Sequence, residues 1–93
     1  MQSISAVTFK EQISHLHLLD IRTPREWDDF NLGGVHIPLD QLLDRIEEVQ
    51  QIPQPITVIC YNGTQSYIAC RLLSAKGISC QNLEGGLEVY LGI

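Results

Sequence analysis

The chain has 93 residues, of which 44% are hydrophobic and 18% are charged, a balance typical of a folded globular protein rather than a disordered one. Its formal net charge of −5 argues against nucleic acid or an anionic membrane surface as the main partner. No apolar run approaches the roughly 20 residues that a membrane-spanning helix needs. The length predicts a single domain over residues 1–93 with one small hydrophobic core.

Cysteine usage indicates the compartment. Cys60, Cys70 and Cys80 are odd in number and form no C-x-x-C pair, which argues against a disulfide scaffold and a zinc site. The first residues, Met1 to Ser5, contain neither a basic segment nor a long apolar stretch, so no signal peptide is visible. We therefore predict a cytoplasmic protein that needs no metal and no cofactor.

Short apolar runs alternate with helical patterns along the chain. The strand candidates are residues 4–7 (alternatively the entry to a helix), 16–21, 35–37, 56–59 and 78–83. Five helices are predicted. The first is capped by Ser5 or Thr8 and ends near Ser14, the second runs from the Thr23-Pro24 start signal to Asp29, and the third covers 41–50 after a cap at Asp40. The last two span 66–76 and 87–91. This order predicts an α/β fold of three layers, α/β/α, with a mainly parallel central sheet of about five strands.

Apolar spacing predicts which side of two helices is buried. In the helix over 41–50 the inward residues are Leu42, Leu43, Ile46 and Val49. In the helix over 66–76 they are Ile68, Ala69, Leu72 and Leu73, and Gly77 is placed to end that helix.

Cys60 stands at the most informative position of the sequence. It follows the β-branched run Ile56–Ile59 and precedes a short polar loop that leads into a helix. Ligands bind beyond the carboxyl ends of the strands in parallel sheets, and unpaired N–H groups at a helix start favour negative charge. A free cysteine is otherwise more often a small buried hydrophobe, but this setting predicts a thiolate nucleophile at Cys60.

The loop after Cys60 has the composition of an anion-binding loop. Gly63 allows a positive φ angle and close approach of the backbone to a ligand. Successive N–H groups from Tyr61 to Ser66 are then expected to surround the Cys60 sulfur.

Four separate stretches of the sequence form a recognisable set of motifs. They are Leu18-Leu19-Asp20-Ile21-Arg22 with Glu26-Trp27, Gly33-Gly34-Val35-His36-Ile37-Pro38-Leu39, Val58 to Ser66 around Cys60, and Asn82-Leu83-Glu84-Gly85-Gly86-Leu87. Together they resemble the rhodanese family of single-domain sulfurtransferases, because they occur in the order of that family and span nearly the whole chain.

The resemblance implies a rhodanese-like fold and a sulfurtransferase. Cys60 would take a sulfane sulfur from thiosulfate or a persulfide donor, hold it as a persulfide, and pass it to a thiol or cyanide. The implied donor is either a small molecule or a persulfide-carrying protein, and the resemblance does not define the oligomeric state. Gln65 stands where many members have a basic residue, which favours a persulfide over the thiosulfate dianion.

The other residues of the predicted substrate site have two interpretations each. The hydroxyls of Thr64 and Ser66 bond the sulfur, or Ser66 caps the helix. Gln65 contacts substrate or only solvent, while Tyr61 and Asn62 shape the entrance for the acceptor.

Arg22 follows a predicted strand and either faces substrate or holds its own loop by pairing with Glu26 or with backbone. Asp20 is expected to accept N–H groups of that loop rather than act as a base. Trp27 is expected in the core and His36 in a structural role.

Three classes of function remain open. The first is the sulfurtransferase; the second is a non-catalytic or redox-sensing rhodanese-like module that binds a protein partner. A phosphatase or arsenate reductase is disfavoured, because those reactions require an arginine that closes the anion loop and Gln65 stands there instead.

Overall fold

Five parallel strands form the central sheet in the computed structural model, which describes residues 2–93. In chain order the strands are β1 (Gln2–Ile4), β2 (His17–Asp20), β3 (Val35–His36), β4 (Ile56–Ile59) and β5 (Cys80–Leu83). Their spatial order is β1-β5-β4-β2-β3, so β4 lies at the centre with β5 and β2 on either side. The predicted α/β fold with a parallel sheet is confirmed.

Four helices connect successive strands, and a fifth follows β5. Among residues 2–93 the helices are α1 (Ala6–Gln12), α2 (Pro24–Asp29), α3 (Ile46–Gln50), α4 (Thr64–Ala75) and α5 (Gly86–Tyr90), with 3₁₀ turns at Ile13–His15, Leu39–Gln41 and Leu43–Arg45. Ser5 caps α1, and Thr23 and Glu26 form a reciprocal capping box at the start of α2. None of the helices within residues 2–93 is both long and apolar enough to cross a membrane.

The sheet separates two hydrophobic cores. Leu18 and Leu19 are neighbours in β2 but belong to different clusters, because successive residues of a strand face opposite sides. One core holds Leu19 with residues of α3 and α4; the other holds Leu18 with Phe9 of α1 and Leu87 of α5. Helices therefore cover both faces of the sheet, which makes the predicted three layers.

The predicted helix over 41–50 is wrong as a single element. The chain makes two 3₁₀ turns before α3 begins at Ile46, and the Asp40 side chain caps neither of them. Leu42 is completely buried, whereas Leu43 is 51% exposed and does not share its face. The i to i+3 bonds from Leu42 to Leu39 and from Arg45 to Leu42 turn the chain more tightly than an α-helix does.

Helix α4 begins at Thr64, two residues before the predicted start, and its buried face is rotated from the predicted one. Its inward residues are Ser66, Ala69, Cys70 and Leu73, which follow an i, i+3, i+4, i+7 pattern. Ile68 and Leu72 are exposed. The polar Ser66 leads the buried face, and this brings its side chain to the end of β4.

A substitution of Phe9 can test the hydrophobic core that contains Leu18, Phe9 and Leu87. Phe9 is completely buried and meets the ring of Tyr90 edge-on, with 5.1 Å between the ring centroids. We expect Phe9→Ala to lower the free energy of unfolding by about 3–5 kcal/mol, because it removes apolar contacts and leaves a cavity. Val7→Ala, on the exposed side of the same helix, is the control in urea denaturation. A loss for Phe9→Ala no larger than that of Val7→Ala would contradict the assignment of this core.

Candidate active site

Cys60 directly follows β4, at the carboxyl end of the central strand. All four residues of β4 are buried, and the Cys60 side chain is itself only 2% exposed. Strand pairing with β2 and β5 on both sides holds this end of β4, and Ile21 N–H donates to the Ile59 carbonyl just before the cysteine. The cysteine therefore lies buried at the end of a strand that is paired on both sides.

The Cys60 sulfur contacts backbone donors of the following loop and of the first turn of α4. The N–H groups of Gly63 and Ser66 point at Sγ, with N···S distances of 3.1 Å and 3.3 Å. The N–H of Thr64 instead donates to Asn62 Oδ1 at 3.0 Å. Two of the expected N–H donors thus reach the sulfur, and both stabilise negative charge on it.

Gly63 enables this arrangement through its backbone. Its φ angle is +89°, and it is the cap residue of α4. A Cβ atom at this position would lie 2.8 Å from the Gly85 nitrogen and 3.3 Å from the Leu83 carbonyl oxygen. Any other residue would therefore push the loop away from the turn that follows β5.

The chain after the Gly85-Gly86 turn is hydrogen-bonded to the backbone of the cysteine loop. Leu87 N–H donates to the Cys60 carbonyl at 3.0 Å, and Glu88 N–H donates to the Tyr61 carbonyl at 2.8 Å. These bonds require close approach of the two backbones, and a Cβ atom on Gly86 would lie 2.6 Å from the Cys60 carbonyl oxygen. The first turn of α5 is thus bonded directly to the loop that carries the thiol.

Ser66 does not cap α4; its side chain is completely buried beside the cysteine. The Ser66 Oγ lies 3.2 Å from the Cys60 Sγ, and its hydroxyl donates to Asn82 Oδ1. The Thr64 side chain is exposed and makes no hydrogen bond to the sulfur within the described part of the chain. Of the two predicted hydroxyl contacts, the structure brings Ser66 to Cys60 and leaves Thr64 at the cavity wall.

Asn82 is a residue of this site that sequence reasoning missed. It lies in β5, is 6% exposed, and its Nδ2 donates to the Gly63 carbonyl at 3.3 Å. Its only signal in the sequence was an amide side chain near the end of the strand candidate 78–83, directly before the Leu83-Glu84-Gly85-Gly86 stretch. The strand pairing supplies what the pattern lacked, since Asn82 pairs with Val58, two residues before Cys60.

Arg22 is held within its own loop. Its guanidinium forms a bidentate ion pair with Asp20, with nitrogen–oxygen distances of 2.9–3.1 Å, and donates to the carbonyls of Phe30 and Glu26. Asp20 also accepts the Arg22 N–H, as predicted. Both side chains are buried, so the positive charge of Arg22 is largely balanced before any ligand binds.

Trp27 and His36 stack on each other beside Arg22, and only His36 has its predicted role. Trp27 is half-buried rather than in the core, and its ring stacks on His36 with centroids 4.7 Å apart. The Nε2 atom of His36 lies 2.8 Å from the Arg22 carbonyl oxygen, and this hydrogen bond fits the predicted structural role of His36.

A cavity of about 400 Å³ opens over the cysteine. Its lining residues are Arg22, Glu26, Cys60, Tyr61, Asn62, Thr64 and Gln65. Glu26 brings a carboxylate that no cation pairs among residues 2–93, while Arg22 is already paired with Asp20. The predicted site residues Tyr61, Asn62, Thr64 and Gln65 do meet around Cys60, in a cavity without a free positive charge.

The other two cysteines lie in the core under α4, as expected for packed thiols. Cys70 and Cys80 are buried, and the Cys80 thiol lies 3.5 Å from the Cys70 carbonyl oxygen. Hydrogen bonding with Cys80, together with burial, raises the pKa of the Cys70 thiol. Residues 2–93 hold no cluster of three His, Cys, Asp or Glu side chains that could bind a metal ion.

Comparison with known proteins agrees with this geometry. The model of the rhodanese-like domain matches residues 5–92. This chain belongs to the rhodanese family. Solved rhodanese structures share its fold: the rhodanese-related protein of Thermoplasma volcanium superposes with a TM-score of 0.89 at 27% identity, covering 99% of this chain and 92% of that one.

Curated relatives of this rhodanese domain carry the word sulfurtransferase in their names. YtwF of Bacillus subtilis is 27% identical over 99% of this chain and 92% of its own length. The thiosulfate sulfurtransferase GlpE of Pseudomonas syringae is 29% identical over 78% of this chain and 70% of its own. The rhodanese domain described here is therefore similar to enzymes that transfer sulfur.

The backbone contact at Gly86 can be tested with a matched pair of glycines. Gly77 and Gly86 both have positive φ angles, but a Cβ atom on Gly77 would meet open space. We expect Gly77→Ala to cost about 1 kcal/mol of unfolding free energy for the backbone conformation alone. Gly86→Ala should cost about 2–5 kcal/mol, because the added methyl group also forces the cysteine loop away. Equal losses for the two variants in urea denaturation would contradict this account.

Proposed function

We propose that this protein is a rhodanese-type sulfurtransferase in which Cys60 is the nucleophile and carries the transferred sulfur. The observation that carries the proposal is the environment of the Cys60 sulfur, which accepts two backbone N–H groups and lines an open cavity. The same donors suit a thiolate before the reaction and a sulfur-bearing cysteine during it. The family and the curated sulfurtransferase relatives support the same chemistry.

The proposed reaction has two steps. The Cys60 thiolate attacks the sulfane sulfur of the donor; an S–S bond forms, the donor's own bond to that sulfur breaks, and sulfite or a thiolate leaves with the electron pair. The acceptor, a thiolate or cyanide, then attacks the outer sulfur of the Cys60 persulfide. That S–S bond breaks, and the Cys60 thiolate is regenerated without net oxidation of the protein.

Charge at the cavity favours a persulfide donor over thiosulfate. Arg22 is paired with Asp20, Glu26 adds a negative charge, and Gln65 is neutral. A dianion that enters this cavity therefore meets backbone dipoles but no free cation, and it is repelled by Glu26. A persulfide on a small thiol or on a carrier protein brings less charge, so we propose it as the preferred donor.

Mass spectrometry of the persulfide tests the nucleophile. After incubation with thiosulfate or with glutathione persulfide, we expect the peptide containing Cys60 to gain the mass of one sulfur atom, and cyanide to remove it. Cys60→Ser should abolish the adduct, while Cys70→Ser and Cys80→Ser should keep it, because those thiols lie in the core. If no adduct forms while iodoacetamide still alkylates Cys60, the enzyme is excluded and the redox-sensing or protein-binding module is favoured instead.

Gln65→Arg tests the charge argument. Placing a cation at the cavity should lower the KM for thiosulfate about fivefold at low ionic strength, and high salt should remove most of the gain. Gln12→Arg, on exposed α1 across the sheet, makes the same change in net charge and is the control. An equal fall in KM for both variants, or none for Gln65→Arg, would show that local charge does not limit thiosulfate use.

A further inference from the structure

A continuous path of buried polar groups runs from the cysteine to β5. Ser66 is completely buried and Asn82 is 6% exposed, and both side chains are hydrogen-bonded to protein groups. The path joins Cys60 Sγ to Ser66 Oγ, the Ser66 hydroxyl to Asn82 Oδ1, and Asn82 Nδ2 to the Gly63 carbonyl. The number of protons along this path determines which group donates at each contact.

The Asn82 amide is oriented by Gly63. A carbonyl oxygen only accepts hydrogen bonds, so the Asn82 amide must present its NH₂ group there, at 3.3 Å. Its oxygen then faces Ser66 and can only accept. Since the Ser66 hydroxyl has one proton, that proton is committed to Asn82.

This leaves Ser66 with only lone pairs to offer the cysteine. At 3.2 Å, the contact between Cys60 and Ser66 is favourable when the thiol donates its S–H to the hydroxyl oxygen. When Cys60 is a thiolate, two electron-rich atoms face each other. Ser66 can relieve this by turning its proton to the sulfur, but the buried Asn82 oxygen then loses the hydrogen bond from Ser66.

We propose that Asn82 is a positioning residue that holds the Ser66 proton away from the sulfur and so favours the protonated, unreactive form of Cys60. It opposes the N–H groups of Gly63 and Ser66, which favour the thiolate. The resting cysteine is thereby shielded from adventitious oxidation until a substrate enters the cavity. The proposal rests on the proposed function in taking Cys60 as the reactive thiol.

A double-mutant cycle read by alkylation tests the proposal. In alkylation by iodoacetamide the Cys60 sulfur forms a bond to carbon, iodide leaves, and the thiol proton passes to the buffer. Asn82→Leu, which has nearly the same shape but accepts no hydrogen bond, frees the Ser66 hydroxyl to donate to the sulfur. At a fixed pH below the plateau of the rate, we expect Cys60 to be alkylated about tenfold faster, with the pH profile moved to lower pH.

The same change in a Ser66→Ala background separates the proposed role from a structural one. Without the serine there is no proton to redirect, so Asn82→Leu should change the rate by less than about twofold. An equal acceleration in both backgrounds would overturn the proposal, because Asn82 would then act through the backbone of Gly63. No acceleration with Ser66 present would overturn it as well.

Asn82→Asp gives the opposite prediction and remains informative if the leucine variant does not fold. A carboxylate accepts the Ser66 proton more strongly and adds negative charge near the sulfur, so alkylation should slow about tenfold. Faster alkylation would contradict the proposal. The ionisable groups at the cavity are Arg22 with its partner Asp20, Glu26 and Tyr61, and Cys70 lies behind Cys60 on α4. They are the same in all variants, so their effects cancel in the comparison.

Circular dichroism should accompany each variant, and the peptide containing Cys60 should be quantified by mass spectrometry so that Cys70 and Cys80 do not contribute. Alkylation needs no sulfur donor. If the alkylation rates follow the predicted double-mutant cycle but no persulfide forms on Cys60, the result counts against the proposed function alone. If the persulfide forms but the alkylation rates do not follow the cycle, the result counts against the role of Asn82 alone.

Discussion

The backbone of the cysteine loop lies directly against the turn that follows β5, and the geometry of the site depends on that contact. Gly63 and the Gly85-Gly86 pair have no side chains, so the two backbones approach closely enough for α5 to donate to the Cys60 and Tyr61 carbonyls. With its carbonyls bonded to α5, the loop directs the Gly63 and Ser66 N–H groups toward the sulfur. Two glycine motifs separated by more than twenty residues thus form one structural unit.

Electrostatics within the site follow from how the charges are paired. The chain is acidic, and the one arginine at the cavity is paired with a buried aspartate and two loop carbonyls. Arg22 therefore stabilises the loop between β2 and α2 instead of offering its charge to a ligand. Negative charge on the sulfur is met by aligned backbone dipoles, which do not titrate and need no counter-ion.

Local patterns in the sequence predicted most of the elements near the site. The run Ile56–Ile59 is β4 as predicted, because β-branched residues followed by a polar loop mark a buried parallel strand. The Thr23-Pro24-x-Glu26 signal gave the start of α2, since capping is decided within four residues. The prediction of one helix over 41–50 was wrong because apolar spacing alone does not distinguish 3₁₀ turns from an α-helix. In the structure Leu42 is buried in the core and Leu43 is exposed.

Asn82 could not be found by the same means. Its role depends on the pairing of β5 with β4 and on the rotation of α4 that places Ser66 inward, and both are set by packing between distant segments. Arg22 is a related case: it was expected to pair with Glu26 or with backbone, and it does donate to backbone carbonyls, but its charged partner is Asp20. Side-chain partners across such short loops depend on backbone angles that sequence patterns do not specify.

The nearly complete burial of Cys60 has a consequence for the order of events in the proposed reaction. With 2% of the residue exposed, the sulfur is reached through the cavity that Tyr61, Asn62 and Gln65 surround. A donor that reacts there occupies the space that the acceptor needs, so its remnant must leave before the acceptor can enter. Donor and acceptor then compete for the same cavity. An excess of donor slows sulfur transfer to the acceptor, and an excess of acceptor slows sulfur transfer from the donor.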